Sequence, residues 1–133
     1  MTQNPQIKGG VIPYLTVDGA IKAVEFYKTA FAAEVVAVIP PDDKGRTMHA
    51  HLYVNGNSLM LSDAFPEHGH ALTEPAAFSI MLRVADADAW YDRAIAAGCT
   101  ALMPPADMFW GDRYAQIKDP FGVIWALNGP VKK

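Results

Sequence analysis

The chain has 133 residues, 51% of them hydrophobic and 19% charged, which is enough apolar matter for one buried core and too much for a disordered chain. Its formal net charge is −3, and its basic residues are scattered with only Lys132 and Lys133 adjacent, so it carries no electrostatic footprint for nucleic acid or an anionic membrane surface. No apolar run approaches the ~18 residues of a membrane span, no charged-then-apolar leader opens residues 1–6, and the lone Cys99 forbids an intrachain disulfide, so a single cytoplasmic domain over residues 1–133 is expected.

In chain order, a strand-like run over 11–18 leads into a helical segment. There Ala20, Val24, Tyr27 and Phe31 share one face, flanked by Ala23 and Ala30. Asp18 stands where an N-cap carboxylate would accept orphan backbone N–H groups, and Ala32-Ala33 stand where a stop glycine is usual. Strands are predicted over 35–39, 46–54 and 58–62, with turns at Pro40-Pro41-Asp42-Asp43 and at Asn55-Gly56-Asn57, a strong hairpin signal. Residues 65–76, with two Pro, one Gly and two His, read as an exposed linker loop.

The order then repeats. A strand over 78–86 ends, like the first, at a Val followed by an Asp. A helix follows with Ala87, Tyr91, Ala94 and Ile95 on one face, Trp90 beside them, Asp86 as N-cap and Gly98 as its stop. Strands are predicted over 100–103, 113–118 and 123–127, separated by turns at Pro104-Pro105 and Asp119-Pro120-Phe121-Gly122, with fraying from Gly129 onward. The pattern β-α-β-β-β occurs twice, over 10–64 and 77–128, at a period of roughly 65 residues that suits two pseudo-symmetric modules and not a solenoid.

Alternation along each strand assigns faces. Leu15, Val17, Met48, Ala50, Leu52, Val54, Leu59 and Leu61 form the helix-facing set of the first module. Ile80, Leu82, Val84, Ala115, Ile117, Trp125 and Leu127 form that of the second. The opposite faces carry Ile12, Tyr14, Thr16, His49, His51, Tyr53, Met60 and Ser62, and then Ser79, Met81, Arg83, Tyr114, Gln116, Lys118, Ile124 and Ala126. A solvated sheet face usually carries more Lys and Glu, so these faces read as a concave binding surface; a half-buried face closed by dimerisation would give the same pattern.

Tyr14-Leu15-Thr16-Val17-Asp18 with Glu25-Phe26-Tyr27, then Met60-Leu61-Ser62-Asp63, carry a resemblance that is most specific in Trp110-Gly111-Asp112-Arg113-Tyr114 with Asp119-Pro120-Phe121-Gly122 and Trp125. On these residues the chain resembles the vicinal oxygen chelate superfamily, which includes glyoxalase I, extradiol dioxygenases, fosfomycin resistance enzymes and bleomycin resistance proteins, and within it the PhnB-like branch. The resemblance implies an α+β fold of two tandem βαβββ modules, whose strands form a cup-shaped mixed sheet with the helices on the convex side. It also implies a homodimer. In the family's enzymes a divalent metal is held from the first and fourth strands of each module. Counted from Val17, Val84, Gly56 and Gly122, those positions here hold Ile12, Ser79, Met60 and Ala126, with an ambiguity of one residue at Met60. None is an imidazole, carboxylate or thiolate donor, so no cofactor is expected.

The leading expectation is therefore a metal-free cup that binds a small organic molecule through Tyr14, His49, His51, Tyr53, Arg83, Trp110, Arg113, Tyr114 and Gln116. The alternative is a lyase, isomerase or dioxygenase with a relocated ion on His49 and His51, with Asp63 or Tyr114 as a guessed third donor. A weaker third reading is a partner-binding protein with a filled cup. Trp110, Arg113 and Tyr114 form an aromatic and cationic rim in one reading. In the other, Trp110 packs between the modules and Arg113 pairs with Asp112 or Asp119. Cys99 reads as a small buried residue and His68-Gly69-His70 as a solvated turn. There is no nucleophile motif and no Gly-rich phosphate loop, which also discounts a methyl-donor nucleoside site.

Overall fold

The computed structural model describes residues 6–132. Its elements are β1 (Tyr14–Val17), α1 (Ala20–Phe31), β2 (Glu34–Val38), β3 (Ala50–Val54), β4 (Asn57–Asp63), a 3-10 turn (Pro66–His68), β5 (Ile80–Arg83), α2 (Ala87–Ala97), β6 (Thr100–Asp107), β7 (Asp112–Lys118) and β8 (Ile124–Pro130). They form two four-stranded sheets, ordered β1-β4-β3-β2 and β5-β8-β7-β6. In each, the first strand pairs parallel with the fourth and the other pairs are antiparallel, so both sheets are mixed. The chain divides into two compact units, one on each sheet, and Thr29–Phe31 belong with the second. No helix among the described residues is long and apolar enough to cross a membrane.

The apolar stripes lie where the periodicities put them. Leu15, Val17, Leu52, Val54, Leu59 and Leu61 are buried, as are Ala20, Ala23, Val24, Tyr27, Ala30 and Phe31 of α1. In the second unit Leu82, Val84, Ala115, Ile117, Trp125 and Leu127 are buried, and α2 packs on β6, β7 and β8. The hairpin at Asn55-Gly56 has both residues at positive φ (52° and 81°), which is what a tight type I′ turn demands. Gly98 closes α2 and Asp86 caps it, its carboxylate accepting from Ala89 N at 3.1 Å.

Five local expectations fail, each for a stated reason. Asp18 does not cap α1; Gly19 is the N-cap in a left-handed conformation, and Asp63 at the end of β4 supplies the carboxylate instead. Met48 is exposed (61%), because β3 starts only at Ala50 and the preceding segment follows no strand parity. There the buried residue is Thr47, whose hydroxyl donates to the Ile39 carbonyl at 2.6 Å. Pro104-Pro105 is not a turn but part of β6. That strand is a sheet edge with register shifts on either side of Met103, the setting where missing N–H donors are tolerated. Gly129 and Pro130 are not frayed; they end β8 opposite Arg113 and Asp112. The segment after β4 is not wholly exposed, since Phe65 is buried beneath the Arg46 guanidinium, 4.4 Å from the ring centroid.

Candidate ligand-binding faces

On the first sheet the ladder sets Tyr14 beside Met60 and Met60 beside His51, one row across three strands. Tyr14 is 52% exposed, and its hydroxyl lies 3.0 Å from His49 Nδ1. The two rings are 5.7 Å apart, a polar-aromatic couple open to a ligand. His51 has the same parity but a different fate. It is 2% exposed, with Nε2 2.7 Å from Ser58 Oγ, which also accepts the Lys8 backbone N–H at 2.8 Å. Tyr53 stands edge-on to the His51 ring at 5.4 Å, carries the Lys8 ammonium 4.2 Å above its face, and donates its hydroxyl to the Gln6 carbonyl. Residues 6–8 thus strap this end of the face. No pattern in the sequence marks that role, because the contacts lie about 50 residues away.

Burial first, then the neighbouring His49, lowers the His51 pKa below its ordinary 6.5. The unfolded chain therefore binds a proton that the folded one refuses. His51 stabilises the fold least at acid pH: its contribution is intact above about pH 6.5 and declines as pH falls towards the folded value. Urea unfolding between pH 7.5 and 5 is expected to show that decline, flattened in His51→Gln; an unchanged slope in the variant would remove His51 as its source.

On the second sheet, Met81, Ala126 and Gln116 form the corresponding row, with Arg83, Asn128 and Tyr114 in the next. Gln116 Nε2 donates to Tyr114 Oη at 2.9 Å, and the half-exposed Trp110 meets Tyr114 edge-on at 5.6 Å. Arg113 does not join this group. It alternates with Tyr114 along β7, and its guanidinium is held by Asp88 (2.7 and 3.0 Å) and Asp107 (3.0 Å), not by Asp112 or Asp119. These pairs raise its pKa and fix its charge. Asp112 instead accepts from Asn128 Nδ2 at 3.0 Å. The aromatic rim thus stands without its cation.

Met60 and Ala126 hold matching places: Met60 pairs with Tyr14, and Ala126 with Met81, each three residues before the valine that ends its strand run. Ile12 and Ser79 lie just before β1 and β5. Among the described residues no three His, Cys, Asp or Glu side chains gather as a metal site would require. Asp63 is already committed, its two oxygens taking the N–H groups of Gly19, Ala20 and Thr47 at 2.8, 3.0 and 2.9 Å. Cys99 is buried, and burial pushes its thiol up to about 12, so it is inert as a nucleophile.

Two tandem βαβββ units, each a mixed sheet whose first strand pairs parallel with its fourth and whose other pairings are antiparallel, define an α+β protein of duplicated-module construction. The family model for the Glyoxalase/Bleomycin resistance protein/Dioxygenase superfamily matches residues 11–127, and the chain belongs to that superfamily. It is 38% identical to an uncharacterized protein of Mycobacterium tuberculosis, over 96% of this chain and 78% of that one. Among solved structures, a protein from Pseudomonas aeruginosa superposes with a TM-score of 0.75 at 29% identity, covering 92% of this chain and 98% of its own. A PhnB protein from Bacillus cereus has the same fold, with a TM-score of 0.68 at 23% identity over 90% and 98%.

Proposed function

We propose that this protein is a small-molecule-binding member of the superfamily, in which the inherited metal positions no longer carry donors. The observation that carries this reading is the pairing of Met60 and Ala126 in equivalent register. A thioether and a methyl group, and the Ile12 and Ser79 side chains at the first-strand positions, do not fit Zn²⁺, Mn²⁺ or Fe²⁺, which take imidazole, carboxylate or thiolate. Around these positions the faces keep groups suited to an organic ligand: Tyr14 with His49, Tyr114 with Gln116, and Trp110. A homodimer, no required cofactor and a reducing cytoplasmic setting for the lone Cys99 belong to the same reading.

The competing reading moves an ion to His49 and His51 and makes the protein a lyase, isomerase or dioxygenase. It is weakened by the burial of His51 on Ser58, by the bond of His49 to Tyr14, and by the commitment of Asp63 to three backbone donors. Elemental analysis of protein purified without chelators separates the two. Metal well below one ion per chain, unchanged in a His49→Ala/His51→Ala double variant, is the expected result. Stoichiometric metal that disappears in the variant would overturn it. Native mass measurement on the same sample reads the dimer and any molecule that co-purifies.

A further inference from the structure

Lys8 stands where the first strand would run. β1 pairs parallel with β4, Tyr14 opposite Met60, and that register carried back two residues puts Ile12 opposite Ser58. Lys8 takes the place instead: its carbonyl accepts the Ser58 N–H at 2.9 Å, and its own N–H donates to Ser58 Oγ at 2.8 Å. Residues 9–12 loop out before the ladder resumes with the Met60 N–H on the Pro13 carbonyl. Gly9 has φ +99°, Gly10 has open space where a side chain would start, and Val11 is 87% exposed, so nothing braces this loop. We propose that residues 6–8 are a displaceable strap, seated on the first sheet as a ligand would be, and that the subsite beneath it takes an extended amide chain carrying an ammonium group. The inference rests on the ligand-binding reading above and names a ligand class and the cover over its site.

The strap displays what the subsite recognises. Tyr53 donates its hydroxyl to the Gln6 carbonyl, and the Ser58 N–H donates to the Lys8 carbonyl. Ser58 Oγ takes an amide N–H, and the Tyr53 ring takes the Lys8 ammonium, 4.2 Å from its centroid. The first three contacts are to main-chain amide groups, which any extended amide ligand carries; the fourth selects a cation through the ring face. Ser58 Oγ, accepting from Lys8, keeps its own hydrogen for His51 Nε2 at 2.7 Å, so strap, serine and imidazole form one chain of bonds. Displacing the strap bares Tyr53, Ser58 and His51 together, next to the Tyr14–His49 couple. The strap is also lightly held. Residues 6–8 are all exposed, whereas the strands beneath are anchored by the buried Leu52, Leu59 and Leu61. A segment of that kind opens at far lower free energy than the fold unfolds.

Amide hydrogen exchange of the whole protein, read residue by residue by NMR, tests the cover. The Ser58 N–H is bonded to the strap; the Met60 N–H, two residues on along β4, is bonded to Pro13. Ser58 is expected to exchange about 100-fold or more faster than Met60, at a rate insensitive to low urea. Equal protection of the two amides would make the strap part of the fixed fold and overturn the proposal. Calorimetric titration with the capped tripeptide acetyl-Gln-Ile-Lys-methylamide, and with norleucine in place of its lysine, tests the subsite. Lys8→Ala removes the competing ammonium from an exposed position, so the variant should fold, which circular dichroism checks. It should bind the lysine peptide about fivefold or more tighter than wild-type protein does, and by about the same factor tighter than it binds the norleucine peptide. Tyr53→Leu added to Lys8→Ala should erase that second difference. Failure of Lys8→Ala to bind the lysine peptide, or equal binding of the two peptides, would overturn the proposal. A co-purified small molecule held equally by wild-type and Lys8→Ala protein, with no peptide binding, would remove the strap subsite and leave the binding-protein reading standing.

Discussion

Asp63→Ala is expected to cost about 3–5 kcal/mol of folding stability, read from urea unfolding at neutral pH. The carboxylate is 5% exposed and accepts three backbone N–H groups: two at the N-terminus of α1 and one from Thr47, itself fully buried. Alanine removes every acceptor at once and strands those donors where water reaches poorly. Each buried donor left without a partner costs on the order of 1–3 kcal/mol. Asp63→Asn should fall between, since its oxygen can still serve the helix while its NH₂ faces the Thr47 donor. A loss below about 1 kcal/mol in the alanine variant would show that the three bonds are dispensable.

The second unit solves the same problem from the other side. Register makes Gly129 the counterpart of Asp63, each three residues past the matched pair Met60 and Ala126. No side chain fits there: a Cβ on Gly129 would stand 2.7 Å from the Val84 carbonyl oxygen. The carboxylate for α2 comes instead from Asp86, at the position where the first unit has Gly19. Helix capping has thus moved between strand end and helix start while the sheet stayed the same.

That exchange marks the boundary of what the sequence discloses. Buried stripes are local: a period of 2 or 3.6 residues is written in neighbouring letters, so Leu52 with Val54 and Tyr27 with Phe31 are legible without a fold. Asp86 is legible for the same reason, because its bond spans three residues. Asp63 is not, since its partners lie 44, 43 and 16 residues away, and Asp18 occupies the place a local rule favours. At the candidate site, parity puts His51 and Tyr53, both within β3, on one sheet face, while His49 precedes that strand. It cannot tell that residues 6–8 close over His51 while the Tyr14–His49 pair stays accessible. For Arg113 the type of partner was legible and the identity was not. Asp112 is adjacent in sequence, but alternation sends the two side chains to opposite faces, and Asp88, 25 residues back, takes the guanidinium.

Asp119→Ala should be as damaging as Asp63→Ala, about 3–5 kcal/mol, and its cause can be isolated. The residue is 4% exposed; one carboxylate oxygen accepts from Phe121 N and Val123 N at 2.9 and 3.0 Å, and the other from Trp125 Nε1 at 2.9 Å. The first oxygen shapes the turn that the Asp-Pro-Phe-Gly motif announces; the second ties that turn to a tryptophan that is 1% exposed and packs on Phe31 at 4.7 Å. Trp125→Phe removes the indole donor while keeping an aromatic ring, so the second oxygen loses its bond to Trp125. Measured together, the two substitutions should be non-additive by about 1–3 kcal/mol, because each breaks the same bond. Additive losses would mean that the Asp119–Trp125 bond carries no coupling and that the turn alone accounts for the cost. Trp125 is also the first β8 residue paired with β5, in the register that places Ala126 beside Met81 and Asn128 beside Arg83. On the proposed ligand-binding reading, a loosened turn should therefore also weaken binding on the second sheet.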